Sequence, residues 1–196
     1  TQDVAPCHLA CPVGINVKGY VTAIAEGKFE KALEIIRENN CLPSVCGRIC
    51  THPCERECTR ADYGGAINIR ALKRFASDYE RRQSKAQTLK AQITRKKKVA
   101  IIGAGPAGLT AANDLAKAGY AVTILEKEKM PGGLMTFGIP DFRLPDKAVL
   151  YDIERIKALG VTIVTGASVS NSKQFTEIRK KYDAILIATG AQREPA

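Results

Sequence analysis

The sequence predicts an α + α/β chain: a helical first half followed by a parallel-sheet second half. Three observations carry that prediction. All seven cysteines lie before residue 60. Glycine-punctuated apolar runs, the mark of strand–turn–helix units, begin only after residue 98. Between the two lies a basic stretch ending in Arg95-Lys96-Lys97-Lys98, which reads as a connection. The expected organisation is a helical domain over residues 1–90, a basic linker over 91–98, and an α/β domain over 99–196 that is incomplete at its C-terminal end.

In the first half, Asn16 is placed to cap a helix running through Glu26, with Val17, Tyr20, Val21 and Ile24 on one face. Gly27 breaks it. A second helix, Lys28 to Asn39, turns Phe29, Ala32, Leu33 and Ile36 inward. A third, from near Ala66 to Thr88, turns Ile69, Leu72 and Phe75 inward and its basic side chains outward. Short helices joined by long connections bury little area, so a cofactor at the core would help this half hold together.

In the second half, Val99-Ala-Ile-Ile102 reads as a buried strand, Gly103 to Gly108 as a tight turn, and Leu109 to Ala118 as a helix ended by Gly119. Ala121 to Leu125 is the next strand, closing with Glu126. This is a right-handed βαβ opening. Val161 to Thr165 and Ala184 to Ala188 read as further strands.

Gly103-Ala-Gly105-Pro106-Ala107-Gly108 fits GxGxxG in the context that gives the pattern meaning: after an apolar strand, opening a helix, with an acid closing the second strand. Gly103 permits the turn, Gly105 lets backbone approach a pyrophosphate, and Gly108 lets helix pack on strand. The helix start offers free N–H groups and a positive dipole end to phosphate. Glu126 is the expected acceptor for ribose hydroxyls, with Lys127 beside it, and its charge disfavours a 2′-phosphate. Met130-Pro-Gly132-Gly133-Leu134 supplies flexible backbone where a flavin could approach. Ala188-Thr189-Gly190-Ala191 follows a buried strand, like the ATG segment of two-dinucleotide flavoproteins. Together these favour FAD over NAD. Arg143, in Phe-Arg-Leu-Pro, is placed near the flavin, near a partner, or in a surface salt bridge.

The most unusual stretch is CLPSVCGRICTHPCEREC, residues 41–58, with cysteines at 46, 50, 54 and 58. Gly47 and Pro53 are expected to keep it from forming one continuous helix, so its cysteines can wrap around a group. A disulfide framework fits poorly, because the count is odd and the expected compartment is the cytoplasm, where thiols stay reduced. Zinc sites usually show CxxC pairing, absent here, and His8 and His52 read as supporting or surface residues. Iron–sulfur clusters need several convergent thiolates, commonly with a Cys-Pro closing a run, and Cys7-His-Leu-Ala-Cys11-Pro12 supplies one. The rival reading is a zinc- or thiol-stabilised adaptor joined to a nucleotide-sensing domain.

The net charge of +10 lies largely between Arg70 and Lys98. It reads first as a solvated helix face and linker, then as a docking surface for an acidic partner. No recognition motif accompanies it, so nucleic acid is set aside. No run of about 18 apolar residues occurs, so membrane insertion is not expected.

The segments Cys7xxxCys11-Pro-Val-Gly-Ile-Asn, Gly19-Tyr-Val and Leu42-Pro-Ser-Val-Cys-Gly-Arg-Ile-Cys50-Thr-His-Pro-Cys54-Glu resemble the N-terminal iron–sulfur domain of the NADPH-dependent glutamate synthase small-subunit family. Dihydropyrimidine dehydrogenase and electron-bifurcating flavoproteins share that domain. Ala100 to Gly108, Pro131-Gly-Gly133 and Gly138-Ile-Pro-Asp-Phe-Arg-Leu-Pro145 resemble the FAD half of the same family. The resemblance implies two [4Fe–4S] clusters carrying electrons between FAD and a partner, either a large catalytic subunit or another acceptor protein, with NAD(P)H as donor. It implies that Cys7 and Cys58 serve one cluster whose remaining ligands lie upstream. Cys11, Cys50 and Cys54 would serve the other. That cluster's fourth ligand in the family is often Gln or Glu where Lys73 stands here, and Cys46 is the expected substitute. Cys41 is left as a packing thiol. The NAD(P)H domain of the family follows the ATG segment, so the chain is expected to be a fragment or one part of a split subunit. No acid–base or nucleophile constellation is evident, and linked bifurcating, hydrogenase or formate-dehydrogenase complexes remain alternatives to glutamate synthesis.

Overall fold

The computed structural model describes residues 4–83 and 91–191. The chain separates into two compact units, Thr1–Lys85 and Ala86–Ala196. The part of the expected third helix that falls on residues 84–88 lies outside the described residues.

The first unit is helical: α1 (Pro6–Leu9), α2 (Val17–Ala25), α3 (Phe29–Asn39), α4 (Pro43–Ile49), α5 (Pro53–Arg56), a 3₁₀ turn (Thr59–Tyr63) and α6 (Ile69–Arg82). Asn16 caps α2 as its position predicts, accepting from the Gly19 amide at 2.9 Å. The apolar faces of α2 and α3 meet α6 in a core of Ile15, Val17, Tyr20, Leu33, Ile36, Ile69 and Ala76, and Cys54 is buried within it.

Two expectations are corrected here. Gly47 does not interrupt the helix; it lies inside α4. A Cβ at this position would stand 2.8 Å from Arg74 Cα and 2.9 Å from its amide nitrogen, so the missing side chain lets α4 and α6 cross closely. The break falls later, at Cys50-Thr51-His52, where His52 takes a left-handed conformation (φ 46°) ahead of Pro53. The face of α6 is also rotated from the apolar reading. Lys73, Ser77 and Glu80 are buried, whereas Phe75 is 46% exposed.

Charge pairing explains that rotation. The Arg37 guanidinium donates twice to Glu80, at 2.9 and 2.6 Å, fastening α3 to α6. Arg48 reaches Asp78 at 2.6 Å and its own helix at the Ser44 carbonyl, fastening α4 to α6. These bidentate and charge-assisted bonds satisfy polar groups that burial would otherwise penalise. Phe75 instead meets Phe29 edge-on, ring centroids 5.2 Å apart.

The second unit is a parallel α/β layer: β1 (Lys98–Ile102), α7 (Pro106–Lys117), β2 (Ala121–Leu125), α8 (Leu134–Phe137), α9 (Asp146–Ala158), β3 (Thr162–Val164), α10 (Ser172–Lys181) and β4 (Ala184–Ile187). Strand order is β3-β2-β1-β4, all pairs parallel, with Ile102 opposite Leu125 on one side and Ile187 on the other. The central strand β1 is buried along Val99–Ile102, as an all-apolar run dictates. Backbone joins this unit before residue 98, since the Thr94 and Arg95 amides both donate to the Gly119 carbonyl. The carboxyl ends of β1, β2 and β4 bring three loops to one edge of the sheet.

Candidate functional site

In the helical unit, electrostatic coupling groups the thiols. Burial pushes the Cys54 thiol up to about 11, with Cys11 and Cys50 adding to the rise and Lys73 opposing it. Cys46 is raised by burial, against the nearby Lys73 ammonium, and Cys50 hydrogen-bonds to it. Cys11, Cys46, Cys50 and Cys54 therefore form one neighbourhood. Cys7 is raised by burial and then by Cys58, with a smaller effect from Cys11. Cys7 and Cys58 thus form a second neighbourhood beside the first. Cys41 is buried, 8% exposed.

The loops that carry these thiols are held from outside. Glu55 accepts from the Arg70 amide at 2.7 Å, so α5 caps the start of α6. Arg70 in turn donates to the Cys50 carbonyl at 3.0 Å. The His52 amide points at Cys50 Sγ, 3.3 Å away, and the Lys73 ammonium at Cys46 Sγ, also 3.3 Å away. Donors aimed at sulfur are what a bound thiolate requires. His8 uses its Nδ1 on the Ile15 carbonyl (3.1 Å), and His52 Nδ1 stands 3.1 Å from Glu55 Oε2. Tyr20 sits beneath the thiols, its hydroxyl donating to the Ile69 carbonyl at 3.1 Å. Burial and then Cys54, Cys46, Cys11 and Cys7 hold that hydroxyl protonated well past its ordinary range.

Among the described residues no three His, Cys, Asp or Glu side chains are gathered as a single metal ion would need. A four-iron cube takes its thiolates at separate corners, and an all-sulfur donor set with amide and ammonium donors suits it. The residues present fit that group.

In the α/β unit, the loop after β1 forms a glycine-lined cradle. Gly103 has φ 109°, and a Cβ there would run into the Ala188 carbonyl of the β4 loop. A Cβ on Gly108 would run into the Gly103 carbonyl. Gly105 differs: its φ of −75° suits any residue and nothing lies within 4 Å of where a Cβ would be. No close neighbour and no left-handed backbone requires a glycine here, and the space before it is open. Pro106 and Ala107 are exposed at the start of α7. The Pro131-Gly-Gly turn closes over this loop, with the Gly132 amide on the Ala104 carbonyl at 2.9 Å. A Cβ on Gly133 would stand 3.0 Å from Gly105 Cα.

Glu126 is 6% exposed, and its carboxylate accepts from the Ala104 amide at 2.7 Å and the Glu128 amide at 2.9 Å. It therefore anchors the glycine loop, a role the sequence pattern did not reveal. Lys127 lies exposed, Nζ 3.6 Å from Glu128. Leu134 is 68% exposed beside the cradle, and Arg143, Thr189 and Gly190 are exposed, with Ala188 half-buried.

Comparison with known proteins follows the same division. Residues 2–85 match dihydropyrimidine dehydrogenase domain II, 4Fe-4S cluster. Residues 97–196, half of the chain, match the pyridine nucleotide-disulphide oxidoreductase family. The chain belongs to that family. It joins a helical iron–sulfur domain to a parallel-sheet, Rossmann-like α/β domain, and both are redox modules. The 4Fe–4S match, rather than the thiol spacing alone, separates the cluster reading from zinc. The chain is 44% identical over 191 residues to the NADPH-Fe(3+) oxidoreductase subunit beta of Geobacter sulfurreducens, covering 96% of this chain and 28% of that protein. It is 41% identical over 207 residues to the NADP(+)-dependent formate dehydrogenase subunit beta of Moorella thermoacetica, covering 95% and 29%. A solved 2-naphthoyl-CoA reductase shares the fold at TM-score 0.50 and 23% identity, over 95% of this chain and 25% of that one. The chain thus spans under a third of the length of these relatives. Among the described residues no helix is long and apolar enough to cross a membrane.

Proposed function

We propose that this chain is the electron-transfer portion of a multi-subunit NAD(P)H oxidoreductase, relaying electrons between FAD and an acceptor protein through 4Fe–4S clusters. The observation that carries the reading is the pairing, in one chain, of a thiol neighbourhood with donors aimed at sulfur and an open glycine cradle at Gly105. FAD and the clusters supply hydride acceptance and one-electron chemistry; the protein supplies binding, orientation and electrostatics.

On this reading Cys11, Cys50 and Cys54 hold one cluster with Cys46 as the fourth thiolate. Cys7 and Cys58 contribute to another. Gly105 and the start of α7, opened by Pro106 and Ala107, receive the pyrophosphate, since α7 presents unbonded N–H groups there. Glu126 holds the Ala104 loop and keeps lone pairs for ribose hydroxyls. Gly132, Gly133, Leu134, Arg143 and the Ala188-Thr189-Gly190 segment border the flavin side. The NAD(P)H site is assigned to the rest of the protein.

The acceptor is the finer question. Relatives named for ferric iron reduction and for formate dehydrogenase favour a subunit linked to such complexes over the glutamate synthase that the sequence resembles. The test is anaerobic reconstitution with iron, sulfide and FAD, followed by flavin photoreduction. A reduced-cluster EPR signal appearing as the flavin signal is consumed supports the relay. A colourless protein carrying zinc and no flavin refutes it and leaves the adaptor reading.

A further inference from the structure

The fate of Lys73 is the least expected feature of the helical unit. Its side chain is 5% exposed, on the face of α6 that meets α4. An ammonium so buried is costly unless an anion compensates it. Among the described residues no carboxylate pairs with it, and its hydrogen bond goes to Cys46 Sγ at 3.3 Å. Cys54 also lies within its electrostatic reach. The nearest anionic carboxylates on α6, Asp78 and Glu80, are committed to Arg48, Arg81 and Arg37. The Glu55 carboxylate accepts from the Arg70 amide, and among the described residues the acceptor that Lys73 reaches is the Cys46 sulfur.

We propose that Lys73 acts through Cys46 as a fixed cationic hydrogen-bond donor that raises the reduction potential of the cluster Cys46 helps to hold. The inference rests on the reading of Cys46 as the fourth thiolate. Uptake of one electron, with no proton, makes a thiolate-bound cluster more negative. A positive donor at one of its sulfurs favours that more negative state. Net charge and hydrogen bonds to sulfur are among the levers that set such potentials. The His52 amide, at 3.3 Å from Cys50 Sγ, supplies a second but uncharged donor to the same set. Close crossing of α4 and α6 at Gly47 is what brings the ammonium to Cys46, one residue away on α4.

The test uses anaerobically reconstituted wild type, Lys73→Met, Lys73→Arg and Cys46→Ser, each with iron and sulfide counted and the midpoint taken by EPR-monitored dithionite titration. Lys73→Met should keep the wild-type iron count and shift the midpoint to lower potential, and Lys73→Arg, which keeps the charge, should restore most of that shift. Cys46→Ser should lose the cluster or change its spectrum. A full cluster with an unmoved midpoint in Lys73→Met, alongside an altered Cys46→Ser, overturns the inference alone. Loss of iron in both Lys73 variants makes the residue structural and also overturns it. An unchanged spectrum in Cys46→Ser overturns the fourth-thiolate reading, and this inference with it.

Discussion

Gly105→Ala separates folding from ligand binding at one residue. Nothing lies within 4 Å of the added methyl, and the backbone (φ −75°, ψ −178°) accepts alanine without strain. Gly105 is also the N-cap of α7, where alanine costs up to about 1 kcal/mol. Stiffening the unfolded chain returns about 0.4–1 kcal/mol. The two nearly cancel, so stability measured by urea unfolding should stay within about 0.5 kcal/mol of wild type. Binding should not. On the proposed reading the methyl occupies the space through which a pyrophosphate oxygen would reach backbone N–H, and a hydrogen bond to a charged group is worth about 1.5–3 kcal/mol. FAD titration should therefore show affinity weaker by about 10- to 100-fold. Gly108→Ala is the control: its Cβ meets the Gly103 carbonyl and stands 3.2 Å from Ile101 Cγ2, so it should destabilise by about 1–3 kcal/mol. Wild-type FAD affinity in Gly105→Ala would refute the cradle argument, and so would a stability loss equal to that of Gly108→Ala.

Other outcomes follow from the helical unit. Gly47→Ala sets a methyl 2.8 Å from the Arg74 backbone, which cannot rotate aside; overpacking of about 1–3 kcal/mol outweighs the roughly 1 kcal/mol gain in helix propensity, and urea unfolding should show net loss. Asp78→Ala strands Arg48, whose side chain is 5% exposed, and should cost about 3 kcal/mol or more by the same assay. Burial works to raise the Asp78 carboxyl, but the hydrogen bonds and charges of Arg48 and Arg81 outweigh it and hold the group below its usual value. A depressed carboxylate stabilises above its unfolded pKa of about 3.9 and loses that contribution as pH falls through the folded value. Wild type should therefore lose stability on acidification below about pH 4, with a flatter profile in Asp78→Ala.

Local features were legible in the sequence where the physics is local. The Asn16 cap depends on residues three apart, and the parallel strands announce themselves as all-apolar runs between glycine turns. The glycine cradle was legible because strand, turn, helix and closing acid occur in order. Gly47 was misjudged for a tertiary reason: a glycine signals a break along the chain, while its use here is a helix crossing 27 residues away in sequence. Lys73 and Phe75 exchange their expected faces because the arginine–carboxylate pairs, invisible to apolar periodicity, fix how α6 is turned. The anchoring role of Glu126 depends on where β2 ends relative to Ala104, which the pairing of β1 with β2 decides.

The most direct test of the central claim is the content of iron and labile sulfide per chain after anaerobic purification. At least about four of each are expected, the complete set being the cluster held by Cys11, Cys46, Cys50 and Cys54, with broad absorbance from thiolate–iron charge transfer. Stoichiometric zinc, with no iron even after reconstitution, would contradict it.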